Sequence, residues 1–244
     1  MRAATGAIGV LVVGCWSVDA SAYRPFDGTD ADVADLHEVE IELGPAGYYG
    51  VAGGPHDFVA GGVLNYGLLP RVELVLQGFD FAPLDGQSGP NKLTETGLFV
   101  KAVWRPGCLQ GRDGASFATE VGPLLPTIHD GNGFGAYAGS ILSTCFGDSL
   151  VVHWNIDAQL LPGTYDLDLF GGAILEPPSS RYTVRPVAEV FVEHAFGGAQ
   201  TYSGLVGGIW QVSAKLALDA ALREALVGGQ SVSEVRAGFS WAIP

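Results

Sequence analysis

Carboxylates dominate the side chains that could do chemistry. Glu38, Glu40 and Glu42 alternate with Val39, Ile41 and Leu43, the spacing that puts every second side chain on one face of an extended strand. The same alternation, followed along the chain, assigns Glu73, Glu95, Glu120, Asp157, Asp166, Asp168, Glu189, Glu193, Asp219 and Glu234 to one polar face, against Arg71, Lys101, Arg185, Lys215, Arg223 and Arg236. Carboxylates ringed around an interior favour cations or neutral polar solutes and repel anions. The alternative is that these charges pair across a narrow interior and fill it.

No other constellation makes a catalytic or metal centre. His153 and Asn155 share the polar face and would be two members of a Ser-His-Asn set, but no motif ties a serine to them, so no catalytic residue is assigned. His56, His129 and His194 stand beside acids without the spacing of metal ligands. Asp27-Gly28-Thr29-Asp30-Ala31-Asp32 has the composition of a calcium loop without its closing glutamate, which leaves a polar turn or plug-like segment. We expect no metal and no cofactor. Cys108 and Cys145 are candidates for a disulfide in an oxidising compartment, with unpaired cysteines the alternative.

The chain of 244 residues is 48% hydrophobic and 16% charged, with 36 glycines and 14 prolines, which suits many strands joined by tight turns. A net charge of −14 with 12 basic residues excludes a phosphate-binding footprint and hence nucleic acid as a partner. Residues 1–22 read as a signal peptide: Arg2, then an apolar stretch from Ala3 to Val13, then Ala20-Ser21-Ala22 as a cleavage site. A lipoprotein box ending at Cys15 is the competing reading. No later apolar run is long enough for a membrane-crossing helix.

Residues 23–36 form an N-terminal periplasmic or lumenal segment in this reading, and residues 37–244 a transmembrane β-barrel. Twelve alternating segments can be drawn, joined as an up-and-down antiparallel meander. In the seventh, Val152, Trp154, Ile156, Ala158 and Leu160 interleave with His153, Asn155, Asp157 and Gln159. That is the length a tilted strand needs to cross a bilayer. The eleventh contains ALDAALREAL, which has helical propensity but continues a strand alternation.

Three features turn the aliphatic face toward lipid. Trp104, Trp210 and Trp241 end the fourth, tenth and twelfth segments, all even, as a girdle at one membrane interface requires. The last strand places Val235, Ala237, Phe239 and Trp241 on one face. Connections alternate between short and long, with Arg105 to Ala115 and Leu161 to Thr164 against the rule.

Residues 24–48, RPFDGTDADVADLHEVEIELGPAGY, resemble the start of the mature chain in the outer-membrane family labelled "MetA-pathway of phenol degradation". That resemblance implies an outer-membrane barrel and passage of small molecules, aromatic ones included, and carries no catalytic motif. The expectation is a twelve-stranded barrel of the outer membrane, embedded in its lipids, folded by barrel-assembly machinery, and acting as a pore or transporter-like protein for small-molecule solutes. Its lumen-lining residues would be Glu38, Glu40, Glu42, Glu73, Glu95, Lys101, Glu120, His153, Asn155, Asp157, Asp168, Glu189 and Arg236. The alternatives are a secreted soluble β-sandwich and a filled barrel with a structural role.

Overall fold

The computed structural model describes residues 24–84, 92–126, 133–179 and 182–244; the signal-peptide reading and His129 fall outside them. Twelve strands follow one another: β1 (Val39–Val51), β2 (His56–Leu69), β3 (Val72–Pro83), β4 (Lys92–Arg105), β5 (Ser116–Leu124), β6 (Gly135–Phe146), β7 (Leu150–Leu160), β8 (Leu167–Glu176), β9 (Val184–Ala195), β10 (Gln200–Ser213), β11 (Leu216–Val227) and β12 (Gln230–Ile243). Each pairs antiparallel with its neighbours in sequence, and β1 pairs with β12, so the sheet is a closed up-and-down barrel. Closure leaves no sheet edge with unpaired backbone groups.

Alternation decides which residues meet which medium. Leu76, Leu98, Trp154, Val190, Val206 and Leu222 point outward and are exposed, whereas Glu42, Glu73, Lys101, Asn155 and Glu189 point inward and are buried. Buried charge beneath a continuous exposed aliphatic surface inverts the arrangement of a soluble protein. Such an exterior suits hydrocarbon. Trp104, Trp210 and Trp241 lie on this outer surface, at the end of the barrel where Val39 pairs with Ile243. We call it the terminus end.

Local chemistry explains the irregular places. The β1 register shifts around Gly44 and Pro45 against both β2 and β12, because proline has no N–H to give a ladder and is accommodated at a bulge. The ALDAALREAL stretch is strand, since it pairs along its length with both β10 and β12; two ladders override its helical propensity.

Turns correct several sequence assignments. Arg71, with positive φ, occupies the β2–β3 turn, and Asp166 and Lys215 lie exposed in connections, so none of the three lines the interior. At the far end, β11 and β12 are joined by Gly228-Gly229, both at positive φ, the two-residue hairpin turn that glycine permits. With residues 196–199 also a short link, the long-outside rule fails at more places than the two anticipated, because the strands run further than their alternation showed.

Ile156 is 72% exposed on the outer surface of β7 near its middle. Ile156→Arg should destabilise the lipid-reconstituted barrel by about 2–4 kcal/mol in denaturant titration, the range for arginine at a bilayer midplane. A cost below about 1 kcal/mol would contradict a lipid-facing exterior.

Candidate functional site: the lumen and residues 24 to 36

The N-terminal segment enters the barrel at the terminus end and stays inside it. Having no strand partner there, its backbone donors need other acceptors, and wall side chains supply them. Arg24 N–H donates to Glu42 Oε2 at 3.1 Å, Asp27 and Gly28 N–H to the two Glu189 oxygens at 2.9 and 2.7 Å, and Thr29 N–H to Asn155 Oδ1 at 3.0 Å. Ala31 N–H donates to Ser143 Oγ at 3.0 Å and Ala34 N–H to Glu73 Oε2 at 2.7 Å. Asn155 returns a bond from Nδ2 to the Thr29 carbonyl at 2.9 Å.

Charge and packing follow the same route. Lys101 Nζ reaches Asp30 at 3.5 Å and Glu73 at 3.4 Å. Arg236 binds Asp27 at 2.9 Å and donates to the Pro25 carbonyl at 2.7 Å, Arg223 lies 3.7 Å from Asp27, and Arg24 lies 3.3 Å from Asp219. Phe26 packs on Val187, Ile209 and Ala217, and Ala31 and Val33 pack with Val103, Ala118, Ile141 and Leu109. Basic residues of the lumen are thus committed to the segment and its neighbours.

Cys108 and Cys145 are joined by a disulfide with Cα atoms 6.1 Å apart, tying the 3-10 turn at Cys108–Gln110 to the end of β6. Gln110 of that turn donates from Nε2 to the Ala31 carbonyl at 2.8 Å and to Asp32 Oδ1 at 3.0 Å. The long β4–β5 connection is therefore a clamp on the segment.

His153 has the neighbours of a relay: Ser143 Oγ lies 2.8 Å from Nδ1 and Glu176 Oε1 3.3 Å from Nε2. Ser143, however, is fully buried and accepts the Ala31 N–H. A neutral tautomer protonated at Nε2 satisfies serine, histidine and glutamate together, and Glu176 is held in turn by Arg185 at 3.0 Å. The cluster is an anchor for the segment. The serine lies in a small-residue strand with weak alternation; that it shares the inward parity of Ile141 was the signal available.

Of the expected lumen residues, Glu40, Glu42, Glu73, Lys101, Glu120, His153, Asn155, Asp157, Asp168 and Glu189 are buried inside the barrel, and Arg236 lines its cavity. Glu38 precedes β1 and lines the cavity from the terminus end. The Glu95 side chain is outside the described residues. The structure also brings in groups the polar-face reading passed over: Tyr49, Phe79, Phe81, Tyr137, Phe170 and Phe191 on the inner wall of the far half. Glycine makes room for some of these rings, since a Cβ at Gly61 would strike Phe79 at 2.1 Å and one at Gly139 the Tyr137 hydroxyl at 2.7 Å. Between segment and rings lies a cavity of about 360 Å³.

Two acids of the segment respond oppositely to this setting. Burial pushes Asp27 up, but the Arg236 and Arg223 guanidiniums outweigh it and hold the carboxyl below its ordinary value. Burial, then the neighbouring Asp30 carboxylate, pushes Asp32 up to about 7 against the Gln110 hydrogen bond and the Lys101 charge. A raised carboxyl binds its proton in the docked state, so its contribution to docking is complete below the ordinary carboxylate range and is lost as pH rises through about 7. Asp27 contributes in the opposite sense, losing its part as pH falls through its lowered value. Hydrogen exchange should therefore show the Ala31 and Ala34 amides less protected at about pH 8 than at about pH 6 after correction for intrinsic rate, with the difference abolished in Asp32→Asn. Equal protection in the wild type at both values would refute this assignment.

No protein-family model and no curated protein matches the chain. Among solved structures it is similar to the COG4313 outer membrane channel from Pseudomonas putida F1, at 12% identity over 89% of this chain and 100% of that one, with a TM-score of 0.63. The β domain of the Bordetella autotransporter BrkA (11% identity, 84% and 98% coverage, TM-score 0.47) and the CymD monoaromatic hydrocarbon channel (9%, 85% and 88%, 0.46) are more distant. At these identities the likeness is one of fold.

Proposed function

We propose that the protein is an outer-membrane barrel that passes small solutes, with residues 24–36 setting how much of the lumen is open. The observation that carries this reading is the cavity of about 360 Å³ inside a closed barrel with an apolar exterior. The fold likeness to an outer membrane channel supports it. Solute entering from the far end meets the aromatic wall, then the segment. Passage follows when the segment, held by side-chain bonds and no ladder, shifts aside.

The lining carries thirteen acidic and four basic residues. Many acids accept backbone donors or pair with arginine, so the field is weaker than the count suggests, but its sign is negative and favours cations. A filled barrel with a structural role is the second reading, and the density of bonds between segment and wall favours it.

Planar-bilayer recording separates the two. The full chain should give small, potassium-preferring conductance, and a chain lacking residues 25–36 should conduct at least about threefold more, because the lumen of a twelve-stranded barrel widens once its filling is removed. Silence in both proteins would establish the structural role, and equal passage of chloride and potassium would refute the acidic lumen.

A further inference from the structure

The far half of the lumen holds two carboxylates that the segment does not use. Asp157 on β7 and Asp168 on β8 both line the cavity and are 9% and 6% exposed; Asp157 accepts from the Tyr137 hydroxyl and the Ser140 N–H, and each acid keeps an Oδ1 that meets no donor. The register places Asp157 opposite Phe170 and Gln159 opposite Asp168. The acids are therefore diagonal neighbours across one strand pair, with β-carbons roughly 7 Å apart. Among the described residues neither forms an ion pair; the cavity's bases, Arg24, Lys101, Arg223 and Arg236, bind Asp219, Asp30, Glu73, Asp27 and Glu234.

Aromatic rings flank the pair. Phe170 and Phe191 sit with centroids 4.9 Å apart, and a Cβ placed at Gly139 would come within 2.5 Å of Asp157 Oδ1 and 2.7 Å of the Tyr137 hydroxyl, so tyrosine and aspartate converge over that glycine. Arg223 already lies over the Phe191 ring, 5.0 Å from its centroid. A buried acceptor without a donor is costly, and an ammonium brings three donors and a positive charge that aromatic faces also attract.

We propose that Asp157 and Asp168, with Tyr137, Phe170 and Gln159, form a binding site for an aromatic ammonium, the charged nitrogen between the carboxylates and the ring against Phe170. Neutral aromatics would find the ring contacts without the charge partners, and aromatic acids would meet repulsion. The cavity is within the size range of small-molecule sites. The site rests on reading the lumen as a solute path, and defines which solute is held there.

Calorimetric titration of the full chain in detergent with benzylammonium, benzyl alcohol and phenylacetate tests it without requiring conduction. Benzylammonium should bind at least about tenfold more tightly than benzyl alcohol, as expected for two charge-assisted bonds over neutral ones, and phenylacetate should not bind. The double variant D157N/D168N should abolish the amine preference, bringing benzylammonium and benzyl alcohol to the same affinity. Equal affinities of amine and alcohol, or an amine preference that survives the double variant, would overturn the site, as would no binding of the amine. If the double variant loses its heat-modifiable folded band, the wild-type ratio and Asp168→Asn alone decide. Benzylammonium binding to a protein that is silent in bilayers would uphold the site while ending the reading of the lumen as a path. Conductance without amine selectivity would do the reverse.

Discussion

Everything inside the barrel depends on one constraint: an irregular stretch of backbone enclosed by a sheet that has no free edge. The barrel consumes its own ladder groups, so residues 24–36 find no backbone partner in the wall among the described residues. Six of their N–H groups are met by side-chain oxygens of Glu42, Glu189, Asn155, Ser143 and Glu73. Leaving one such donor unmet costs roughly 1–3 kcal/mol. Six together are of the order of a whole domain's stability. Three of the inward acids, Glu42, Glu73 and Glu189, are acceptors that this backbone requires.

That role changes what the negative charge means. Glu189 accepts two consecutive N–H groups, and Glu73 accepts one while pairing with Lys101. Their negative charge is partly answered where it stands. Glu234, between Arg223 and Arg236, and Asp27, reached by the same two arginines, form a compensated cluster spanning segment and wall. On β7 the segment reaches Asn155, and Asp157 and Asp168, further toward the far mouth, form no ion pair among the described residues. A count of acids on one face says little about field; the distribution of their partners sets it.

The strands and their facing were legible because period-two alternation persists through ten or more residues, and because a membrane exterior and a polar interior differ as sharply as two media can. The Trp154-Asn155-Ile156-Asp157 run carries that contrast residue by residue. The partners of the interior were not legible. Ala31 meets Ser143 and Arg236 meets Pro25 across separations of 112 and 211 residues, and pairing at that range leaves no local pattern. Turn-borne charges misled for a related reason: Arg71 fits the alternation of β3, yet it sits at positive φ in the turn before the strand begins. The inner aromatic wall was visible in principle, since Val75, Gln77, Phe79 and Phe81 continue the parity of Glu73. Reading that face as polar throughout hid the change of character along it.

This change of character divides the lumen into two chemically distinct halves. Near the termini, charged and amide groups such as Glu42, Glu73 and Asn155 bond the segment, which is clamped by the Gln110 turn behind its disulfide. Toward the far mouth, large rings lie over glycines, Phe79 on Gly61 and Tyr137 near Gly139, so the wall is thinned where the rings sit and empty volume survives in a barrel otherwise filled. On the proposed path, a solute entering from that mouth would meet aromatic surface before it met the segment. If the lumen passes solutes as proposed, discrimination falls to the rings and to Asp157 and Asp168 while the segment's side-chain bonds set the free energy of going further, so that selection and opening belong to different residues at different depths.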